Sequence, residues 1–331
     1  MASKIAIVNS SSFGRIFPEH IEKLRKIGQV ERFDLPKDIK GKELAEKLMG
    51  FSIIIASVTA QYDKEFFDYK DNTLLISRHG IGYNNIDIKA ATEKGTLVTK
   101  VEAEVEREAV AENAIALLMD TIRQTSKAAK KAREGKWSER AKFIGYEIKD
   151  KTVGVIGLGN IGSRVGEILK NGFNCKLIAY DPNLSNEEII NKGAEPVTLE
   201  RLLKESDIIS LNACITKESY HLISGEEFSM MKKGVFIVNT ARGELMDEKE
   251  LLRALDDGII GGMGLDVIEG EPINEEHPLF KYENVVITPH TSAYTYECLK
   301  GMGDKVISDV ERVLANEKPD NLINIGAFID K

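Results

Sequence analysis

Along the chain, short runs of apolar and β-branched residues alternate with stretches in which apolar positions recur every three or four residues. The first third reads KIAIVN, PEHIEKLRKIG, FSIIIAS, TLLISR, DIKAATEKG and TLVTK. The runs suit buried strands and the periodic stretches suit amphipathic helices, so the pattern predicts βα units on a mostly parallel sheet. Near Lys100 the alternation stops. A long helical pattern follows in REAVAENAIALLMDTIRQTSKAAKKAREGKW, with Val110, Ala114, Leu117, Leu118 and Ile122 on one face. With no strand interrupting it, this stretch reads as a connector between two α/β lobes.

A second alternation opens at KTVGVIGLG and continues through KLIAYD, DIISLNA, VFIVNT, GGMGLDV and NVVITPH. These six strand candidates match the count of a doubly wound dinucleotide domain. Residues 294–315 are again helical in pattern, with Leu299, Met302, Val306, Val310, Val313 and Leu314 spaced for one face, and a short tail, NLINIG, follows. If that tail packs on the first lobe, the lobe is discontinuous and the chain crosses between domains twice. Two crossings permit hinge motion around a cleft.

Length supports the division, because 331 residues exceed what one core usually organises. The 42% hydrophobic and 30% charged fractions belong to a globular chain, and a net charge of -8 with dispersed Lys and Arg speaks against a nucleic-acid partner. No apolar run approaches the ~20 residues of a membrane span, and MASKIAIVNS enters a strand pattern without a signal peptide's apolar region. The expected location is therefore the cytoplasm, with no membrane partner. Cys175, Cys214 and Cys298 are widely separated and lack metal-site spacing. They read as reduced, mostly buried thiols, and no metal is expected.

Two glycine loops follow strand-like runs. In GLGNIG, Gly157, Gly159 and Gly162 keep the G-x-G-x-x-G spacing after KTVGVI and before the helical SRVGEILKNG. Such glycines allow a tight turn, close approach of a pyrophosphate and close packing of helix on strand. Asp181, at the end of the next strand, can accept hydrogen bonds from ribose hydroxyls and repel a 2′-phosphate, which favours NAD over NADP. The other loop, RHGIGYNN, lacks both the third glycine and the later acid.

Downstream, three strand ends carry chemistry: Arg242 in VNTARG, Asp266 and Glu271 in GLDVIEGEP, and His290 in ITPHTSAYT. A guanidinium can hold a carboxylate bidentately, an imidazole can pass a proton near neutral pH, and a carboxylate beside it fixes the ring's tautomer. Each has a plain structural reading as well: a satisfied histidine, a surface cation, a solvated turn residue. Their joint placement along one sheet edge suits the reduction of an acid's carbonyl.

GLGNIG with Asp181, NTARGELMDEKELLRAL, LDVIEGEP and TPHTSAYT, in this order, resemble the motif set of the D-isomer-specific 2-hydroxyacid dehydrogenases. RHGIGYNNIDIKAATEKG and EAVAENAIALLMDTIR are similar to that family's upstream motifs. The resemblance implies an α/β architecture of two Rossmann-like parallel-sheet domains, one flavodoxin-like and one a doubly wound NAD-binding domain, with a cleft between them. It implies a substrate domain over residues 1–101 plus 296–331, an NAD-binding domain over 102–295, and a homodimer formed through the latter.

Carried over by position, the family's catalytic Arg, acidic partner and acid/base His fall on Arg242, Glu271 and His290. Cofactor contacts fall on the loop glycines, Asn160, Ile161, Asp181, Ala213, Cys214, Thr240, Ala241 and, at the nicotinamide end, Asp266. Arg242 would then anchor a 2-oxo acid and His290 would protonate its carbonyl oxygen while NADH delivers hydride, with Glu271 keeping the proton donor charged. The N–H groups around Ile81 and Gly82 would face the substrate carboxylate.

The chain departs from many relatives at Asn212–Cys214, where they carry His-x-Pro, and at Asn113, where they carry His; the latter is expected to touch substrate-side contacts. At Cys214 a buried thiol lining the site is expected. Tyr294 resembles the D-lactate dehydrogenase subgroup, whereas Arg78 resembles 3-phosphoglycerate dehydrogenases, where it can meet a phosphate. D-Lactate/pyruvate or a related small acid is the expected substrate. 3-Phosphoglycerate dehydrogenase, hydroxypyruvate reductase and a non-catalytic NAD-sensing scaffold are the alternatives.

Overall fold

The apolar runs of the first third form β1 (Ser3–Val8), β3 (Ile53–Ala56), β4 (Leu75–Arg78) and β5 (Leu97–Thr99). Between the first two lies β2 (Gly28–Phe33), which the sequence pattern missed. The computed structural model describes residues 3–329; residues 1–2 and 330–331, at the ends of the expected substrate domain, lie outside the described residues. Among those described, these strands make one sheet in the order β2-β1-β3-β4-β5, every pairing parallel. This is the flavodoxin-like order.

Side chains alternate across that sheet as the pleat requires. Ala6, Val8, Ile54, Ala56, Ile76 and Val98 enter one core, while Ile5, Ile7, Ile53, Ile55, Leu75 and Leu97 enter the other. Both faces are covered, so the central strands read as unbroken apolar runs. The GQVERF strand lies at the edge and alternates with solvent, and its polar residues hid it. The helix Tyr296–Leu314 lays Val306, Ile307, Val310 and Val313 on the second core. Its Asp309 accepts from Ser77 Oγ at 3.0 Å and Thr99 Oγ1 at 2.6 Å. In the tail, Asn324 Oδ1 accepts the Val98 N–H at 2.9 Å. The chain accordingly divides into two units, Met1–Glu106 with Tyr294–Lys331, and Arg107–Ala293.

The expected connector is two helices, Ala103–Arg123 and Thr125–Arg133, broken at Gln124, which is left-handed at φ 53°. Tertiary bonds favour the break: Gln124 Nε2 donates to Ile144 O at 3.1 Å, and the Ser126 N–H donates to Asp120 Oδ1 at 2.6 Å.

The second unit contains β6 (Thr152–Ile156), β7 (Lys176–Tyr180), β8 (Glu195–Pro196), β9 (Ile208–Leu211), β10 (Val235–Asn239), β11 (Ile260–Leu265) and β12 (Val285–Ile287). Among the described residues they form a seven-stranded sheet, β12-β11-β10-β9-β6-β7-β8, again parallel throughout. Six were expected. The seventh, β8, is a two-residue edge strand containing Pro196, too short for periodicity to reveal. The strand order reverses between β6 and β9, and ligands of open α/β sheets gather outside the strand ends at such a point. No helix of the described residues is long and apolar enough to cross a membrane.

Candidate active site

The loop after β6 is shaped by contacts that only glycine permits. Gly157 stands at φ +85°, and a Cβ there would lie 2.6 Å from Ala213 N, on the loop after β9. A Cβ on Gly162 would lie 2.0 Å from Gly157 O, while one on Gly159 would meet nothing within 4 Å, leaving the loop's outer side open to a phosphate. The helix Asn160–Phe173 starts in the loop itself, so the positive end of its dipole, with the first turn at Asn160 and Ile161, lies there. Asp181, just past β7, accepts the Leu158 N–H at 2.8 Å and the Asn183 N–H at 2.9 Å. These bonds hold the carboxylate beside the loop, and each oxygen keeps a lone pair for a ribose hydroxyl. The residues fit a dinucleotide.

Along the same sheet edge, the loops after β10, β11 and β12 carry Arg242, Glu271 and His290. Asn239, fully buried, accepts the Ala241 N–H at 2.9 Å and donates to Arg242 O at 2.8 Å, tightening the turn that bears the guanidinium. Arg242 Nη1 donates to Ala241 O at 2.6 Å. Beyond it, Gly243 lets this loop lie against the next: a Cβ there would come within 2.1 Å of the Ile268–Glu269 peptide. Glu271 Oε2 accepts the Ile268 N–H at 3.2 Å, and its Oε1 meets His290 Nδ1. Ring geometry then turns Nε2 away from the carboxylate.

Around His290 the turn is built on Asp266, 1% exposed. Its carboxylate accepts from Thr288 Oγ1 at 2.5 Å, the Thr291 N–H at 2.8 Å and the Ser292 N–H at 2.7 Å, while its backbone carbonyl accepts the His290 N–H at 2.9 Å. His290 itself sits at φ 53°, a conformation this network enforces. Asp266, expected at the nicotinamide end, therefore braces the histidine turn. Asn113 joins it by donating to Ser292 Oγ at 2.7 Å. Sequence reasoning missed Asn239, Thr288 and Ser292, whose part depends on partners the fold supplies.

Thr240 is buried at the end of β10, and Ala241 and Ala213 are half-buried beside their loops. Cys214 is exposed, which corrects the expectation of a buried thiol: its loop turns outward, with Ser219 Oγ donating to Cys214 O at 2.7 Å. Cys175 and Cys298 are buried, and burial pushes their thiols up to about 11 and about 12, leaving them inert. No group of residues suited to a metal ion occurs among the described residues.

In the other unit, RHGIGYNN follows β4. Arg78 is 3% exposed and donates to Ala56 O at 3.2 Å and His79 O at 2.7 Å, so it is not the open cation a phosphate would meet. His79 packs edge-on against Phe13, and burial, with the charge of Arg78 second, pushes it down to about 3. The Ile81 N–H, expected to face a substrate carboxylate, donates to Glu106 Oε1 at 3.1 Å. Asn85 Nδ2 ties the loop's end to Ser57 O at 3.1 Å and Ala60 O at 2.9 Å. The hydroxyl of Tyr294, half-exposed, pairs with Ser11 Oγ at 2.6 Å.

Comparison with known proteins identifies the family. The family model described as D-isomer specific 2-hydroxyacid dehydrogenase, NAD binding domain, matches residues 115–292. The chain is 37% identical to a glyoxylate reductase of Thermococcus litoralis over 94% of its own length and 95% of that protein's. It is 35% identical to a D-3-phosphoglycerate dehydrogenase of Archaeoglobus fulgidus, over 95% of this chain and 58% of that one. The solved structure of apo D-lactate dehydrogenase from Escherichia coli superposes with a TM-score of 0.82 at 31% identity, over 97% of this chain and 99% of that one. The chain belongs to the D-isomer specific 2-hydroxyacid dehydrogenase family and is an NAD-dependent oxidoreductase acting on the CH–OH group of its substrate.

Proposed function

We propose that this dehydrogenase reduces a short, unphosphorylated 2-oxo acid, of the size of glyoxylate or pyruvate, to the 2-hydroxy acid. The carrying observation is the His290–Glu271 pair beside the Arg242 turn. Arg242 binds the acid's carboxylate and polarises the neighbouring carbonyl. His290, held through Nδ1 by Glu271, gives a proton from Nε2 to the carbonyl oxygen, and takes it back in the oxidative direction. Reduced NAD, when bound, supplies the hydride. GLGNIG, with Asn160 and Ile161, holds the pyrophosphate; Asp181 reads the ribose and favours NAD over NADP; Ala213, Cys214, Thr240 and Ala241 line the remainder, and Asp266 fixes the turn at the nicotinamide end.

Residues 107–293 are thus assigned to the cofactor, and residues 3–106 with 294–329 to the substrate, with Ile81, Gly82 and Tyr294 as its contacts. The inward-turned Arg78 supports an unphosphorylated acid, as do the names of the glyoxylate reductase and D-lactate dehydrogenase relatives. A homodimer through the cofactor unit fits the exposed Trp137, Ile144 and Tyr146 on its surface. Three unpaired thiols suit the reducing cytoplasm.

The test is NADH oxidation with glyoxylate, pyruvate, hydroxypyruvate and phosphohydroxypyruvate, in wild type and His290→Ala. The variant is expected to lose roughly 10^3-fold in kcat while binding NADH as before. Turnover at the wild-type rate, or preference for the phosphorylated acid, would sink the reading.

A further inference from the structure

The RHGIGYNN loop is held from inside by a residue whose charge never reaches solvent. Arg78 closes β4, and its Nη1 bridges two carbonyls: Ala56 O, at the end of neighbouring β3, at 3.2 Å, and His79 O, the first of the loop, at 2.7 Å. The adjacent backbone is fixed to the same places. The His79 N–H donates to the same Ala56 O at 3.0 Å, and the Val101 N–H donates to Gly80 O at 3.1 Å.

Gly80 completes the arrangement. It stands at φ +148°, and a Cβ there would lie 3.1 Å from Nη1, 3.2 Å from Nη2 and 3.3 Å from Cζ of Arg78. Contact that close is tolerated because the residue has no side chain. The two features are one device: a glycine admits the guanidinium against the backbone, and the guanidinium, through its two bonds from Nη1, sets the path of the loop.

We propose that Arg78 is a positioning residue for the substrate's carboxylate, fixing the backbone of residues 79–82, and that its commitment to main-chain carbonyls makes the enzyme select unphosphorylated acids. This rests on the functional reading above, in which that loop receives the acid. A merely structural arginine would affect folding or both ligands together; a positioning one changes substrate affinity and leaves the cofactor alone. Lysine supplies the charge but not the planar group that packs on Gly80, so it restores the device only in part.

The test uses the full chain with NADH and the four acids named above, in wild type, Arg78→Ala, Arg78→Lys and Gly80→Ala. NADH affinity is read by fluorescence, and affinity of the NADH complex for oxamate, an unreactive 2-oxo acid analogue, by calorimetry. Arg78→Ala is expected to raise KM for each unphosphorylated acid, and Kd for oxamate, by a common factor of roughly tenfold, as loss of charge-assisted hydrogen bonds implies. Its kcat and NADH affinity should stay within about twofold of wild type, and Arg78→Lys should recover part of the loss. Gly80→Ala keeps the charge but presses a methyl group on the guanidinium; it should raise the same KM values, and it carries the test if Arg78→Ala does not fold.

Unchanged KM and oxamate affinity in the folded variants would overturn the proposal, as would an equal loss of NADH affinity. So would a wild type that prefers phosphohydroxypyruvate and loses only that preference on Arg78→Ala. A wild type that binds NADH but neither turns over any of the acids nor binds oxamate fails the functional reading itself, and the proposal with it.

Discussion

The two glycine loops of this chain follow parallel strands in different units and differ in what chiefly holds them. GLGNIG is held mostly by backbone: Gly157 meets the main chain at Ala213, Gly162 meets Gly157 O, and a fourteen-residue helix starts within the loop, with the Asp181 carboxylate on the Leu158 N–H as a side-chain addition. RHGIGYNN is held mostly by side chains: Arg78 bonds to Ala56 O and His79 O, Glu106 takes the Ile81 N–H, and Asn85 ties the end to Ser57 and Ala60. Its next helix begins only at Ile88. A loop held by its own backbone has few ways to change and suits a ligand part common to every turnover, the pyrophosphate. A loop set by side chains can be retuned by single substitutions, which suits the part that varies among relatives.

Substitutions in each loop can break this contrast. The largest effect is expected from Gly162→Ala, whose new Cβ would lie 2.0 Å from the backbone oxygen of Gly157 and 3.1 Å from Asn212 Cβ. NADH affinity should fall about 100-fold, with a lower melting temperature, as strained backbone and a lost anion site imply. Fluorescence titration showing near-wild-type affinity would mean that the cofactor loop is as adjustable as the other.

A smaller effect, of opposite sign, is expected at Glu106. Its carboxylate occupies an N–H assigned to the substrate's own carboxylate and places like charge beside it. Glu106→Gln keeps an acceptor and removes the charge, so KM for the 2-oxo acid should drop about fivefold with kcat unchanged. A rise in KM would make Glu106 a support for the acid and not a competitor.

A third effect, of intermediate size, is on stability against pH. His79 in the folded chain is pushed down to about 3, and burial also lowers His20, so the unfolded chain takes up these protons first as pH falls. The stability from keeping His79 neutral is intact above its unfolded value of about 6.5 and is lost as pH falls from there toward 3. Between pH 7 and pH 5 the loss from His79 should be about 2 kcal/mol, and His79→Phe should flatten that stretch of the melting profile. An unchanged profile in that variant would remove His79 as the cause.

Legibility followed the range of the interactions. The βα alternation, both glycine loops and the three chemical strand ends were readable because strand periodicity, turn chemistry and helix starts are local. The edge strand GQVERF was not, since the exposed Gln29 and Glu31 interrupt it and no apolar run marks it. The break at Gln124 was not either, because Ile144 O and the turn at Asp120 decide it, and nothing within the helical pattern does. The roles of Asp266 and Asn113 became visible only when folding brought the TPHTS turn onto them, from 25 and 179 residues away.

By itself, then, the sequence determined the α/β class, the family, the cofactor loop with Asp181, and the residue types of Arg242, Glu271 and His290. Each of these is written in local spacing. Only the tertiary structure decided where Arg78 points, which acceptor holds the Ile81 N–H, what fixes the turn under His290, and that Cys214 is exposed. These depend on which buried donors find which acceptors, and a buried hydrogen bond is worth enough to redirect a side chain that its neighbours in sequence would leave free.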